Sequence, residues 1–139
     1  MVAIYITSPN GPEGKTTLCI GLARKWQQAG KKVGYIKPVV IAATEQATHG
    51  DEDADFARRV LGLAEPAESL CPLSLTAQGV AALPKQPVPE QKLVKACSDM
   101  AAGKDVVVLD GLTGQGDASA TIARWLGAKT IIVAHHRAN

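Results

Sequence analysis

An α/β fold with a doubly wound parallel sheet and helices on both faces is the architecture this sequence predicts, on three observations. Four short apolar runs rich in β-branched residues recur along the chain, the segments between them are amphipathic with a helical period, and glycines close those segments. Alternating strands and helices require parallel strands joined by right-handed crossovers. The expected strand order is 2-3-1-4, which places the first strand beside the one that ends in Asp110. Strand order then reverses between the first and third strands, and a ligand crevice opens at their carboxyl ends.

The first run is VAIYI at residues 2–6. The segment GKTTLCIGLARKWQQAGKK follows, in which Leu18, Leu22 and Trp26 recur every fourth residue beside Cys19 and Ala23, while Arg24, Lys25, Gln27 and Gln28 take the outer face. Gly30 is positioned to stop this helix in a left-handed cap. VGYIK at residues 33–37 is the second buried strand. DEDADFARRVLGL at 51–63 starts with acids, carries Phe56, Val60 and Leu63 as an apolar set, and has Gly62 near its end, so it predicts a second helix. PEQKLVKACSDMAAG at 89–103 opens with Pro89 at a first helical position, aligns Leu93, Cys97 and Met100, and closes at Gly103. VVVLD at 106–110 is the third strand, ASATIARWLG at 118–127 a helix capped by Asp117, and TIIVA at 130–134 the fourth strand. Residues 39–50 and 64–88 interrupt the rhythm. The latter holds Pro66, Pro72, Pro84 and Pro87, and connections of that length tend to carry function.

With 139 residues, a net charge of +2 and 46% hydrophobic residues, the chain has the dimensions of one domain, residues 1–139, with a core large enough to need no metal or disulfide staple. Cys19, Cys71 and Cys97 are odd in number and lack C-x-x-C spacing, which suits a reduced, cytoplasmic protein. The start of the sequence lacks the pattern of a signal peptide, and no apolar run reaches the roughly 20 residues that span a bilayer. No membrane partner is expected. Near-balanced charge, 4% aromatics and only the basic pairs Lys31-Lys32 and Arg58-Arg59 also argue against a nucleic-acid surface.

The stretch SPNGPEGKTTLC, residues 8–19, lies at the carboxyl end of the first strand. It matches the phosphate-binding pattern G-x-x-x-x-G-K-[ST] at Gly14-Lys15-Thr16 but has Pro9 where the first glycine belongs. Asn10 and Gly11 are turn formers that supply the reversal instead, and Pro12 and Glu13 complete the loop. Gly14 admits close backbone approach to phosphate. Lys15 reaches β- and γ-phosphate oxygens, the Thr16 hydroxyl suits Mg²⁺, and Thr17 lies in the helix turn whose free N–H groups face an anion. Nucleotide is therefore expected over residues 10–17, with ATP and Mg²⁺ as cofactors.

With GYIKPV at 34–39, DEDADF at 51–56, ESLCPLSLT at 68–76 and VVVLDGLTGQG at 106–116, the chain resembles the dethiobiotin synthetase family of P-loop proteins, and more closely the related amino-terminal domain of long bacterial phosphotransacetylases. The resemblance implies that Lys37 meets nucleotide phosphate and the substrate carbamate, as the strand-2 lysine of the synthetases does. It also implies that Asp110, where the synthetases commonly use glutamate, and Asp53 hold Mg²⁺ with Thr16. Acids at a helix start are favoured by the dipole alone, so ligand and dipole readings of Asp53 stand level. The loop of Gly111, Gly114 and Gly116 either lines the same edge or is a plain turn.

Gly11 replaces the substrate-facing threonine of the synthetases and Ile41 a serine after KPV, and the chain covers only the first part of that family fold. Asn10 stands where septum-positioning and plasmid-partition ATPases carry a second lysine. The resemblance implies a regulatory or nucleotide-sensing ATP-binding domain. The alternative is an ATP-dependent ligase that activates a carboxylate or carbamate, with Lys15 and Lys37 as its catalytic residues. His135 and His136 lie outside any metal-ligand spacing. The last strand predicts an open sheet edge with Ile131 and Val133 partly uncovered, to be completed by a homodimer or a partner chain.

Overall fold

A computed structural model describes residues 2–9, 14–43 and 51–134. The elements run in the order β1 (Val2–Ser8), α1 (Lys15–Gln28), β2 (Val33–Ile36), β3 (Val39–Ile41), α2 (Glu52–Leu61), α3 (Ala67–Leu70), β4 (Leu73–Leu75), α4 (Ala77–Ala81), a 3₁₀ turn (Leu83–Lys85), α5 (Pro87–Ala101), β5 (Val106–Thr113), α6 (Gly116–Trp125) and β6 (Lys129–Ile132). The main sheet is parallel throughout and ordered β2-β5-β1-β6, which is the expected order with β5 and β6 as third and fourth runs.

β5 is buried from Val106 to Leu112, as a strand covered on both faces must be. Helices α1 and α2 pack against each other, as do α5 and α6, and α1, α5 and α6 all meet β5. The core lies between these layers and the sheet, with Tyr5, Ile6, Tyr35, Ile36, Val107 to Leu109, Leu93, Met100 and Ile122 among its most buried members.

Two parallel strands lie outside the main sheet, in segments the sequence presents as breaks. β3 pairs with β4 from Val39↔Leu73 to Ile41↔Leu75. Each is three residues long, too short for periodicity to reveal. Pro38 has no N–H to donate and falls between β2 and β3, where the chain leaves one sheet for the other. The Lys37 N–H donates to the Leu70 carbonyl at 2.7 Å across this switch, and the Ala42 N–H to the Leu75 carbonyl at 2.8 Å.

Several helix details differ from expectation. On α1 the buried stripe is Cys19, Ile20 and Ala23, while Leu22 and Trp26 are half-buried and Leu18 is exposed. Cys19 and Ala23 are fully buried beside Ile20, and the larger Leu22 and Trp26 fill the margins. On α2 the same rotation buries Ala54, Ala57 and Leu61 and leaves Phe56 51% exposed. α5 begins at Pro87 rather than Pro89, and Leu93, Cys97 and Met100 are its buried stripe as expected. α6 takes Gln115 as its N-cap, so Asp117 sits in the first turn instead of capping it. Gly30, Gly62 and Gly103 have positive φ at or just beyond the ends of their helices.

The fourth strand is not buried. All of β6 is exposed, with Ile131 at 38% and Ile132 at 66%, because it is the outer edge of the sheet. Val133 packs partly against the core and is partly uncovered, as expected, and Ile132 is uncovered as well. Among the described residues no helix is long and apolar enough to cross a membrane.

β1 and β5 pair in register from Val2↔Val106 to Ile6↔Asp110, then shift so that Ser8 faces Thr113. The extra residue in β5 is a bulge just past Asp110. A Cβ at Gly111 would lie 2.5 Å from the Tyr5 ring and 2.6 Å from the Ile6 carbonyl oxygen, so only glycine lets the strands approach here. Gly111→Ala should cost about 1–3 kcal/mol by overpacking against backbone. Urea unfolding measures it, and an unchanged midpoint would refute the close approach.

Candidate functional site

The carboxyl ends of β1, β2 and β5 converge on the amino terminus of α1. Gly14 caps that helix with φ +84°, a left-handed conformation that disfavours any side chain, and no side chain caps the first turn. Residues Asn10, Gly11, Pro12 and Glu13 lie outside the described residues, so the expectation of phosphate contacts there rests on sequence. His135 and His136 also fall outside them. Thr17 is exposed in the first turn of α1.

Lys15 is 5% exposed and turns inward. Its ammonium donates to Asp110 Oδ1 at 2.6 Å and to the Gly111 carbonyl at 2.6 Å. Asp110 is fully buried, and its second oxygen accepts from the Thr16 hydroxyl at 2.9 Å and from the Tyr35 hydroxyl at 2.6 Å. A carboxylate within an aliphatic strand is costly to bury unless it is hydrogen-bonded, and here three donors act on its two oxygens. Among the described residues no buried side-chain polar atom lacks a partner.

The bulge presents the Gly111 carbonyl to Lys15, and β1 side chains satisfy the rest of it. The Leu112 N–H donates to the Tyr5 hydroxyl at 3.1 Å, and the Thr7 hydroxyl donates to the Leu112 carbonyl at 2.6 Å. The Tyr5 hydroxyl in turn donates to Ser119 on α6 at 3.1 Å. Burial pushes the phenols of Tyr5 and Tyr35 up, the latter further because Asp110 adds negative charge beside it.

Lys37 lies just past β2, two residues beyond Tyr35. Its ammonium donates to Asp51 at 3.0 and 3.1 Å and to Asp53 at 3.2 Å. Burial alone would lower its pKa, but the hydrogen bonds and charge of Asp51, with those of Asp53, raise it and keep the ammonium protonated. Asp51 is also the N-cap of α2, accepting from the Ala54 N–H at 3.0 Å. Asp53 accepts from the Thr16 hydroxyl at 3.4 Å. Thr16 thus meets both Asp53 and Asp110, and the three residues expected at a metal come together around one hydroxyl. Two carboxylates and a hydroxyl are hard oxygen donors, a set that fits Mg²⁺ with phosphate oxygens and water in its remaining positions. Among the described residues no group of three or more His, Cys, Asp and Glu gathers, so phosphate would have to share the cation.

Two of these parts escape a reading of the sequence. Tyr35 reads as an ordinary strand residue, and Asp51 as one more acid at a helix start. The only signal for either is position: Tyr35 shares a strand face with Lys37, and Asp51 precedes the helix by one residue. Gly114 and Gly116 line the same edge of the sheet. They border a cavity of about 350 Å³ with Thr7, Ser8, Gln115 and Ser119.

Cys71, half-buried after α3, has its thiol pushed up to about 12 by burial and by the charge of Asp51. Its thiolate fraction at pH 8 is therefore small, and alkylation by iodoacetamide should be slow there and still rising at pH 10. Mass spectrometry of Cys71 labelling against pH tests this, and rapid labelling with a plateau near pH 9 would contradict it.

A family model described as an AAA domain matches residues 2–139, and the chain belongs to that family. A phosphate acetyltransferase of Deinococcus radiodurans is 26% identical over 139 residues, a match that takes in 96% of this chain and 19% of that protein. The crystal structure of the signal recognition particle 54 kDa protein from Aeropyrum pernix K1, in complex with GDP, aligns with a TM-score of 0.56 at 18% identity, covering 94% of this chain and 28% of that one. The chain therefore spans about a fifth of the curated relative's length. The α/β fold is that of P-loop NTPases.

Proposed function

We propose that this AAA-domain chain binds Mg-ATP and serves as a nucleotide-sensing or regulatory domain, as its resemblance to the phosphotransacetylase amino-terminal domain implies. The observation that carries the reading is the meeting of Lys15 and Thr16, from the start of α1, with Asp110 on β5. Lys15 is held where it can pass from Asp110 to phosphate oxygens, and Thr16 already touches both carboxylates of the expected metal site. When bound, Mg²⁺ would neutralise the phosphates and link them to the protein. Thr16, Asp110 and Asp53 would hold it directly or through water. Three cysteines without disulfides suit a reducing, cytoplasmic setting.

A second reading is favoured by Lys37, which Asp53 links to Thr16. An ammonium beside the metal site is placed to balance charge developing on a transferred phosphoryl group. That is the part it would play in an ATP-dependent ligase of the dethiobiotin synthetase type, where a carboxylate or carbamate oxygen attacks the γ-phosphorus and ADP leaves. Phosphate release that requires an added organic acid would favour the ligase reading.

Calorimetry with Mg-ATP, Mg-ADP and Mg-GDP tests binding and base preference, and ATP or ADP is expected to bind more tightly than GDP. Lys15→Ala should weaken ATP by at least about tenfold through loss of a charge-assisted contact to phosphate. It also strips Asp110 of its cation, so the variant should melt lower than the parent and gain nothing from nucleotide. A variant that binds as tightly as the parent refutes the site.

The uncovered edge at β6 further supports association with a second copy of the chain. Light scattering at micromolar concentration is expected to give a dimer. A 14.5 kDa particle would refute that.

A further inference from the structure

We propose that Tyr35 is a positioning residue for the metal site, holding Asp110 in place while Lys15 leaves it for the nucleotide. This rests on the nucleotide-binding reading above. Asp110 has one cationic partner, Lys15, on Oδ1, and two hydroxyl donors, Thr16 and Tyr35, on Oδ2. Binding of a nucleotide draws Lys15 toward phosphate, and the buried carboxylate loses the contact on Oδ1. A carboxylate free to turn about its Cβ–Cγ bond would then follow the ammonium or swing Oδ2 away from Thr16, and the metal would lose a ligand or a water anchor.

Tyr35 prevents this because it is anchored in the core. It is 0% exposed within β2, whose four residues are all buried, and β2 is paired to β5 from Val33↔Val106 to Ile36↔Leu109, the residue before Asp110. Its hydroxyl therefore stands in a fixed relation to Asp110, at 2.6 Å from the oxygen that also takes Thr16. Thr16 is expected to contact the metal and Lys15 the phosphates, so Tyr35 is the hydroxyl donor on Asp110 that neither ligand recruits, and the Cys19 thiol, which also hydrogen-bonds Asp110, is a weaker donor. Partners one step behind metal ligands hold ligand orientation, and their loss typically costs about 10–100-fold in metal affinity.

The test compares ADP binding with and without Mg²⁺ in the parent chain and in Tyr35→Phe, which removes the hydroxyl and keeps the ring. The expected result is that Mg²⁺ improves ADP binding by a factor at least about tenfold smaller in Y35F than in the parent, while metal-free ADP binding changes less than about twofold. In an Asp110→Asn background the same substitution should leave the Mg²⁺ effect unchanged, since the two residues act as a unit. A lower melting temperature with an intact Mg²⁺ effect would mean that the hydroxyl only stabilises the fold, and would overturn the proposal. A parent that takes no nucleotide overturns the binding reading and this inference with it. A parent that binds with a Mg²⁺ effect shared in full by Y35F overturns the inference alone. Should Y35F fail to fold, the unsubstituted chain labelled with 3-fluorotyrosine decides. It has two tyrosines, assigned through Tyr5→Phe, and Mg²⁺ added to the ADP complex should shift the Tyr35 resonance. An unmoved Tyr35 signal would overturn the proposal.

Discussion

A carboxylate with no solvent exposure inside a hydrophobic strand is the constraint on which the rest of the molecule depends. Asp110 lies within β5, the strand at the centre of the core, just before its bulge, and a lone buried charge there would oppose folding. The fold meets it with donors from two other elements: Lys15 and Thr16 from the first turn of α1 and Tyr35 from β2. One residue thereby ties a helix to two strands. Because two of its partners are also expected to serve a nucleotide, the fold's electrostatic balance and its chemistry use the same atoms.

The bulge in β5 is the backbone counterpart of this arrangement. Inserting a residue after Asp110 disturbs the ladder to β1, which would leave polar groups of Gly111 and Leu112 without partners in the core. Lys15 takes the first carbonyl, Tyr5 and Thr7 take the amide and carbonyl of the second, and Ser119 joins the hydroxyls to α6. In the proposed nucleotide complex, withdrawal of Lys15 would change the hydrogen bonding of the bulge as well as of Asp110. The site and the packing of α6 on the sheet are mechanically adjacent.

A second cluster is built by Pro38. By ending the pairing of β2 it turns the chain into β3, and the small β3-β4 sheet continues from the switch that leaves Lys37 beside α2. Asp51 caps α2 and grips Lys37 with the same carboxylate, so the helix start and the ammonium fix each other. Asp53, half exposed, bridges this cluster to Thr16. Lys37 and Thr16 are thus joined through one half-exposed carboxylate.

The sequence by itself determined the four-stranded parallel order, the main helices and the Lys15-Thr16 start of α1, because β-branched runs, helical periods and the Gly14-Lys15-Thr16 junction are local patterns, whereas Asp110 joined the candidate site through the family resemblance. Short elements escaped it: a three-residue strand such as Leu73–Leu75 has too few alternations to show a period. The helix stripes were read askew on α1 and α2, since which of several adjacent apolar residues faces the core is settled by the space available, and here Ile20 and Leu61 share it with alanines and Cys19. Only the tertiary structure decided that Asp53 meets Thr16 and Lys37, rather than serving the helix dipole alone, and that Tyr35 and Asp51 belong to the site. These roles are set by distances between residues up to 75 positions apart in the chain. Such distances follow from how strands register and pack, which no local pattern encodes.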